Sequence, residues 1–156
     1  MERSKIYPEI SKHAEIFQSE WIKRYPQFPV NYKLSYRHKL FVKLIKQFVK
    51  DKNAKILDIG CGFGETLFLL KKAGYTNIFG IDYSSVAVDI CKKIGINVER
   101  ISLEEYLKFT KDSWDVIILG DILEHIYIPV EVILKIKNLL KDDGKVIISV
   151  PKQDGF

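Results

Sequence analysis

An apolar segment, Leu57-Asp58-Ile59, runs straight into Gly60-Cys61-Gly62-Phe63-Gly64-Glu65 and from there into an amphipathic stretch. Three glycines at alternate positions between a strand pattern and a helix pattern leave few folds open. Glycine serves where the chain takes φ > 0 or where backbone must approach another molecule closely, and the following helix offers unpaired N–H groups at its first turn. Eighteen residues past Gly64 the next apolar run ends on Asp82, whose carboxylate can accept both hydroxyls of a ribose.

The rest of the chain repeats this alternation. Strand patterns at 55–59, 77–81, 97–101, 114–119 and 145–150 are separated by helix patterns at 65–73, 85–94, 103–109 and from Pro129 onward, where Val132, Ile133, Ile136, Leu139 and Leu140 carry the apolar stripe. Asp142-Asp143-Gly144 reads as the turn before the fifth strand. Val116-Ile117-Ile118-Leu119 is apolar on both faces, which marks a central parallel strand. Two helices precede the first strand, one through Ile10, Ala14, Phe17, Trp21 and Tyr25, and one through Leu40, Phe41, Leu44, Ile45, Phe48 and Val49. The pattern predicts an α/β fold: a doubly wound, mainly parallel, Rossmann-like sheet of five strands with N-terminal helices. Residues 1–50 are expected to form a helical cap and 51–156 a ligand-binding core, within one domain overall. In such sheets the ligand lies at the carboxyl ends of the strands, where Gly60, Asp82, Ser102, Gly120 and Asp121 all fall.

A dinucleotide loop reads Gly-x-Gly-x-x-Gly, and here Glu65 stands where the third glycine would be. The series Asp58-x-Gly60-x-Gly62-x-Gly64 followed by Asp82 instead resembles motifs I and II of the class I S-adenosylmethionine-dependent methyltransferases. The segment Gly120-Asp121-Ile122-Leu123-Glu124-His125 is similar to the post-strand segment of their quinone, methionine-biosynthesis and small-molecule members. The resemblance implies S-adenosyl-L-methionine as cofactor, S-adenosyl-L-homocysteine as product, and in-line displacement of the sulfonium methyl by an acceptor nucleophile. It implies that the loop of Gly60, Cys61, Gly62 and Gly64 packs on the methionine moiety, with Asp58 near the amino group. Asp82 is assigned to the ribose and Tyr83 to the adenine. Ser102 and Leu103 occupy the segment that often carries an adenine-binding Asp, although Ser102-Leu103-Glu104-Glu105 equally reads as a helix cap with acids in the first turn. Tyr36 and Arg37, just before the second helix, are candidates for the ligand's carboxylate. Gly120 and Asp121 border the methyl group, with Asp121 and His125 as catalytic candidates, His125 because imidazole titrates near neutrality.

Several readings stay open beside these. Asp58 can accept hydrogen bonds from the glycine-loop backbone, Asp82 can cap the helix after it, and Cys61 at a helix start can serve as a nucleophilic thiolate. A cofactor-binding module that needs a partner for catalysis, and an NAD or nucleotide-sugar enzyme on a related sheet, are the alternative functions. The resemblance also implies two further strands after the fifth, whereas this sequence ends at Phe156. The expectation is a truncated product or a minimal fold, with an uncovered fifth-strand edge able to pair with another copy.

Charge is uneven. Residues 1–50 hold 11 Lys/Arg against 4 Asp/Glu, a net of +7, so the remaining residues carry −2 of the total of +5. This suits an acidic small-molecule acceptor better than nucleic acid, since no aromatic and basic pattern of an RNA-binding module accompanies the charge. Lys39, Lys43, Lys46 and Lys50 are expected on the solvated face of the second helix. Two widely spaced cysteines read as reduced, no apolar run reaches membrane-spanning length, and no signal-type core follows the N-terminus, so a cytoplasmic protein is expected. His13 and His38 have no companions at metal-ligand spacing, and no metal is assigned.

Overall fold

A computed structural model describes residues 35–152, together with Ile16, Ser19, Glu20 and Lys23 as isolated helical residues. The helix expected through Ile10 to Tyr25 lies almost wholly outside the described residues. Within them the order is α1 (Tyr36–Phe48), β1 (Ile56–Ile59), α2 (Glu65–Lys72), β2 (Ile78–Asp82), α3 (Ser85–Lys93), β3 (Val98–Arg100), α4 (Leu103–Phe109), β4 (Trp114–Gly120), a 3₁₀ turn (Leu123–His125), α5 (Pro129–Asn138) and β5 (Leu140–Ser149).

All four strand pairings are parallel, in the order β3-β2-β1-β4-β5. The sheet is the doubly wound one that the alternation predicts, and its order reverses between β1 and β4. Period-2 alternation sorts the central strands into two cores. Ile56, Val116 and Ile118 point to one face, where Phe41, Ile45, Leu67, Leu70, Val88 and Cys91 pack from α1, α2 and α3. Leu57, Ile59, Ile117 and Leu119 point to the other, where Tyr106 and Ile136 come from α4 and α5. Because both faces are covered, β1 and β4 are apolar but for Asp58 and Asp115.

Two expectations are corrected. Asp142-Asp143-Gly144 is not a turn ahead of the last strand. Strand β5 already begins at Leu140, which pairs with Trp114, and the register then jumps so that Lys145 pairs with Val116. Trp114 N–H donates to Leu139 O at 2.8 Å, and Lys141 Nζ meets both Asp115 carboxylate oxygens at 2.8 and 2.9 Å. With the chain anchored there, the extra residues bulge out of a strand that has already started. The second correction concerns α1, which starts at Tyr36, so Tyr36 and Arg37 belong to its first turn. Its buried face is His38, Phe41, Val42 and Ile45, while Phe48 is 58% exposed. Lys39, Lys43, Lys46 and Lys50 are exposed, the solvated face expected of them.

Candidate functional site

The carboxyl end of β1 delivers the chain into the glycine loop, and both Gly60 N–H and Cys61 N–H donate to Ile81 O, at 2.8 and 3.0 Å. These bonds hold the loop against the end of β2. Gly60, Gly62 and Gly64 take φ of +66°, +54° and +77°, the left-handed region that side-chain-bearing residues enter at a cost. Gly62 and Gly64 differ in surroundings. A Cβ at Gly64 would lie 2.8 Å from Cys91 Sγ, whereas one at Gly62 would meet nothing within 4 Å. Gly64 therefore lets the loop close on α3, and Gly62 leaves a bare stretch of backbone facing open space.

Asp82 ties the loop down. Its Oδ2 accepts Gly62 N–H at 2.8 Å and its Oδ1 accepts Ser84 N–H at 2.9 Å, and Ser84 in turn caps α3 by accepting Ala87 N–H at 3.3 Å. The Asp82 carboxylate is 9% exposed; burial raises its pKa, and the backbone N–H bonds oppose that rise. The Tyr83 backbone N–H is a third donor to the carboxylate, whose two oxygens offer about four acceptor positions in all. The bond to the loop backbone that the sequence allowed for Asp58 is thus made by Asp82. No hydrogen bond reaches the Asp58 carboxyl among the described residues.

Asp58 is 5% exposed and lies in phase with Ile56, on the face that α1 and α2 cover. Burial first, then Glu65, pushes its pKa up to about 8 against the pull of Arg37. Glu65, in the first turn of α2, is raised by burial as well. Arg37 reaches across from α1 to an ion pair with Asp121, just past β4. Asp121 has φ of +55° and accepts Ser149 Oγ–H at 2.6 Å, so Arg37 and Ser149 both hold it in that strained conformation. Next to Arg37, His38 Nδ1 lies 2.9 Å from Thr66 Oγ1, joining α1 to the second residue of α2. The position of His38 one turn before Phe41 and Val42 was the available sign that it is a buried residue of this helix.

The remaining candidates are more dispersed. Gly120 abuts α1, where a Cβ would lie 3.1 Å from the Phe41 ring. Tyr83 is 47% exposed beside Arg100, whose Nε–H donates to Tyr83 O at 3.1 Å. Ser102 Oγ accepts Glu105 N–H at 3.2 Å, so the helix cap is realised, and Leu103 packs under it on the second core. Tyr36 is exposed, and His125 lies on the 3₁₀ turn with a largely exposed side chain 4.0 Å from Glu124 Oε1. The Cys61 thiol is pushed well above the ordinary thiol range by the neighbouring Cys91 thiol and by burial, the opposite of what a nucleophilic thiolate requires.

A methyltransferase-domain family model matches residues 34–155, which include the loop, all five strands and both switch-point ends. The chain belongs to this family. Its class is the S-adenosylmethionine-dependent class I, as the glycine loop and Asp82 imply. Among curated methyltransferase relatives, a ubiquinone biosynthesis O-methyltransferase of Hydrogenovibrio crunogenus is 31% identical over 116 residues, 70% of this chain and 48% of that protein. One from Glaesserella parasuis is 34% identical over 106 residues, 61% of this chain and 44% of that one. The chain thus spans about half the length of the curated relatives it matches. Of the solved structures, a SAM-dependent methyltransferase from Archaeoglobus fulgidus superposes with a TM-score of 0.61 at 25% identity, covering 73% of this chain and 53% of that one. A plantazolicin methyltransferase, solved with SAH, gives a TM-score of 0.63 over 88% of this chain and 56% of its own. At 21% identity that likeness is one of fold.

Proposed function

We propose that the protein binds S-adenosyl-L-methionine across the carboxyl ends of β1, β2 and β4 and transfers its methyl group to an oxygen nucleophile on a small-molecule acceptor. The observation that carries this is the Gly62 to Asp82 bond: it joins a bare left-handed backbone loop to a carboxylate at the carboxyl end of β2. That donor and acceptor set fits the cofactor's methionine and ribose portions. The cofactor supplies a methyl group made electrophilic by a positive sulfur.

The chain's own residues then bind and align. The loop of Gly60, Cys61, Gly62 and Gly64 cradles the methionine portion, Asp82 accepts the ribose hydroxyls, Tyr83 lies against the adenine, and Ser102 and Leu103 border its far side. Asp58 faces the ammonium. Arg37, with Tyr36 beside it, takes the carboxylate by exchanging its bond to Asp121. Gly120, Asp121 and His125 border the methyl end, where Asp121 or His125 receives the acceptor's proton. Alignment of this kind is worth about 7–11 kcal/mol of barrier, so the chemistry does not depend on a strong base. The O-methyltransferase names of the relatives support an oxygen acceptor, and the basic N-terminal third supports an acidic one.

Residues 1–50 act in this reading as a cap over a core formed by 51–156. Two free, buried cysteines support a reducing, cytoplasmic setting, and no helix among the described residues is long and apolar enough to cross a membrane. The outer edge of β5 supports pairing with a second copy.

Calorimetric titration tests the cofactor assignment. S-adenosylmethionine and S-adenosylhomocysteine are expected to bind with micromolar affinity, and Asp82→Ala to weaken both at least tenfold, about 1.4 kcal/mol. Tighter binding of NAD than of either sulfur ligand would overturn it.

A further inference from the structure

Gly62 sits at φ of +54° with nothing within 4 Å of the place its Cβ would take. Glycine populates φ > 0 and φ < 0 about equally, so this conformation has to be held through the peptide groups on its two sides. The peptide before it is held from β2, where Asp82 Oδ2 accepts Gly62 N–H at 2.8 Å. The peptide after it is held from α3: Cys91 Sγ lies 3.4 Å from Gly62 O, with its S–H as the donor. Cys61 Sγ approaches the same oxygen at 3.8 Å. Both thiols occupy room that glycines leave. A Cβ at Gly64 would lie 2.8 Å from Cys91 Sγ, and one at Gly80, in β2, would lie 2.8 Å from Cys61 Sγ. Cys91 is fully buried in the core that also holds Leu67, Val88 and Ile96, so Gly62 O is aimed inward, away from the open side of the loop. A buried carbonyl that loses its donor is costly, and rotation of the peptide toward the open side is the way to relieve that cost.

We infer that Cys91 is a positioning residue for the cofactor: its thiol, donating to Gly62 O from beneath the loop, fixes the peptide after Gly62 and keeps that carbonyl off the surface that the ligand's methionine portion meets. This rests on the cofactor reading above and adds to it a residue of α3 that acts through the loop. An alanine at 91 keeps the site apolar and removes the donor. A serine restores the donor at nearly the same size. The effect falls on the part of the ligand that meets the loop, since in this reading the ribose belongs to Asp82 and the adenine to Tyr83.

The test is calorimetric titration of wild type, Cys91→Ala, Cys91→Ser and Val88→Ala with S-adenosylhomocysteine and with adenosine, which lacks the methionine portion. Val88 lies on the same helix and is 2% exposed, so its truncation removes packing from α3 without removing a donor. Cys91→Ala is expected to weaken S-adenosylhomocysteine about fivefold and to leave adenosine unchanged. Cys91→Ser is expected to restore the affinity, and Val88→Ala to lower stability while leaving both affinities as they are. Equal losses for the two ligands, no loss for either, a loss in Val88→Ala matching that in Cys91→Ala, or no recovery with serine overturns the inference. Infrared spectra of the ligand-free wild type are independent of how the Cys91 variants fold, because Cys61 and Cys91 are its two thiols. An S–H stretch displaced to lower frequency, and retained in Cys61→Ala, is expected. A displaced stretch lost in Cys61→Ala, or none at all, sinks the inference and leaves the cofactor reading intact. Failure of the wild type to bind S-adenosylhomocysteine removes the cofactor reading, and the role of Cys91 with it.

Discussion

His38 shows how a single side chain couples the first helix to the glycine-loop helix. It is held neutral against Thr66, its pKa lowered to about 4 by burial first and by Arg37 second. Between pH 6.5 and 4 the unfolded chain binds this proton and the folded chain does not. The contribution is thus complete above about pH 6.5 and is lost as pH falls toward 4. Denaturant unfolding across that window should show wild-type stability falling by about 2–3 kcal/mol more than that of His38→Asn, which does not titrate. Parallel curves would mean that His38 bears no part of the acid sensitivity. The sequence marked this histidine only as lacking metal-ligand companions, because its partner is 28 residues away, on a helix whose approach the sequence does not state.

Among the elements, the strand-loop-helix unit from β1 to α2 carries the most specific demands. Gly62 and Gly64 share left-handed φ values, so alanine at either costs about 1–2 kcal/mol of backbone strain. Only Gly64→Ala adds a clash with Cys91 Sγ. Thermal unfolding should therefore rank Gly64→Ala below Gly62→Ala by about 1–3 kcal/mol, and Cys91→Ala should recover part of that difference. Equal losses would show that φ alone matters. Gly62→Ala is expected to do its main harm to cofactor affinity, where the new methyl group occupies the open side of the loop. The sequence made the glycine spacing plain, since strand, loop and helix are contiguous; that Asp82, and not Asp58, holds Gly62 depended on β2 lying parallel beside β1 in a register that aligns Ile59 with Ile81.

At the scale of the molecule, β5 has a neighbour on one side only among the described residues, and the apolar residues near it remain exposed there. Val146, Ile148 and Val150 on and after the strand are 40–57% exposed, and Val130 and Leu134 of α5 are 64% and 58% exposed. A cavity of about 430 Å³ beside the strand is lined by Leu44, Phe48, Val49, Val146, Ile147 and Ile148. Exposed apolar strand edges promote association. Light scattering should give a mass that rises above the monomer with concentration, and Val146→Lys with Ile148→Lys should return it to the monomer. A monomer at all concentrations would remove the pairing of copies.

The amino-acid sequence determined by itself the order of elements, the two-sided burial of β4, and the glycine loop, because each is written in local periodicity or in contiguous residues. Only the tertiary structure decided which acid holds the loop, that Arg37 crosses to Asp121, that His38 is bound to Thr66, and that Asp142-Asp143-Gly144 bulges from a strand already begun. Those outcomes depend on distances between segments far apart in the chain, and parallel strands brought together by crossovers fix such distances only when the whole sheet has formed.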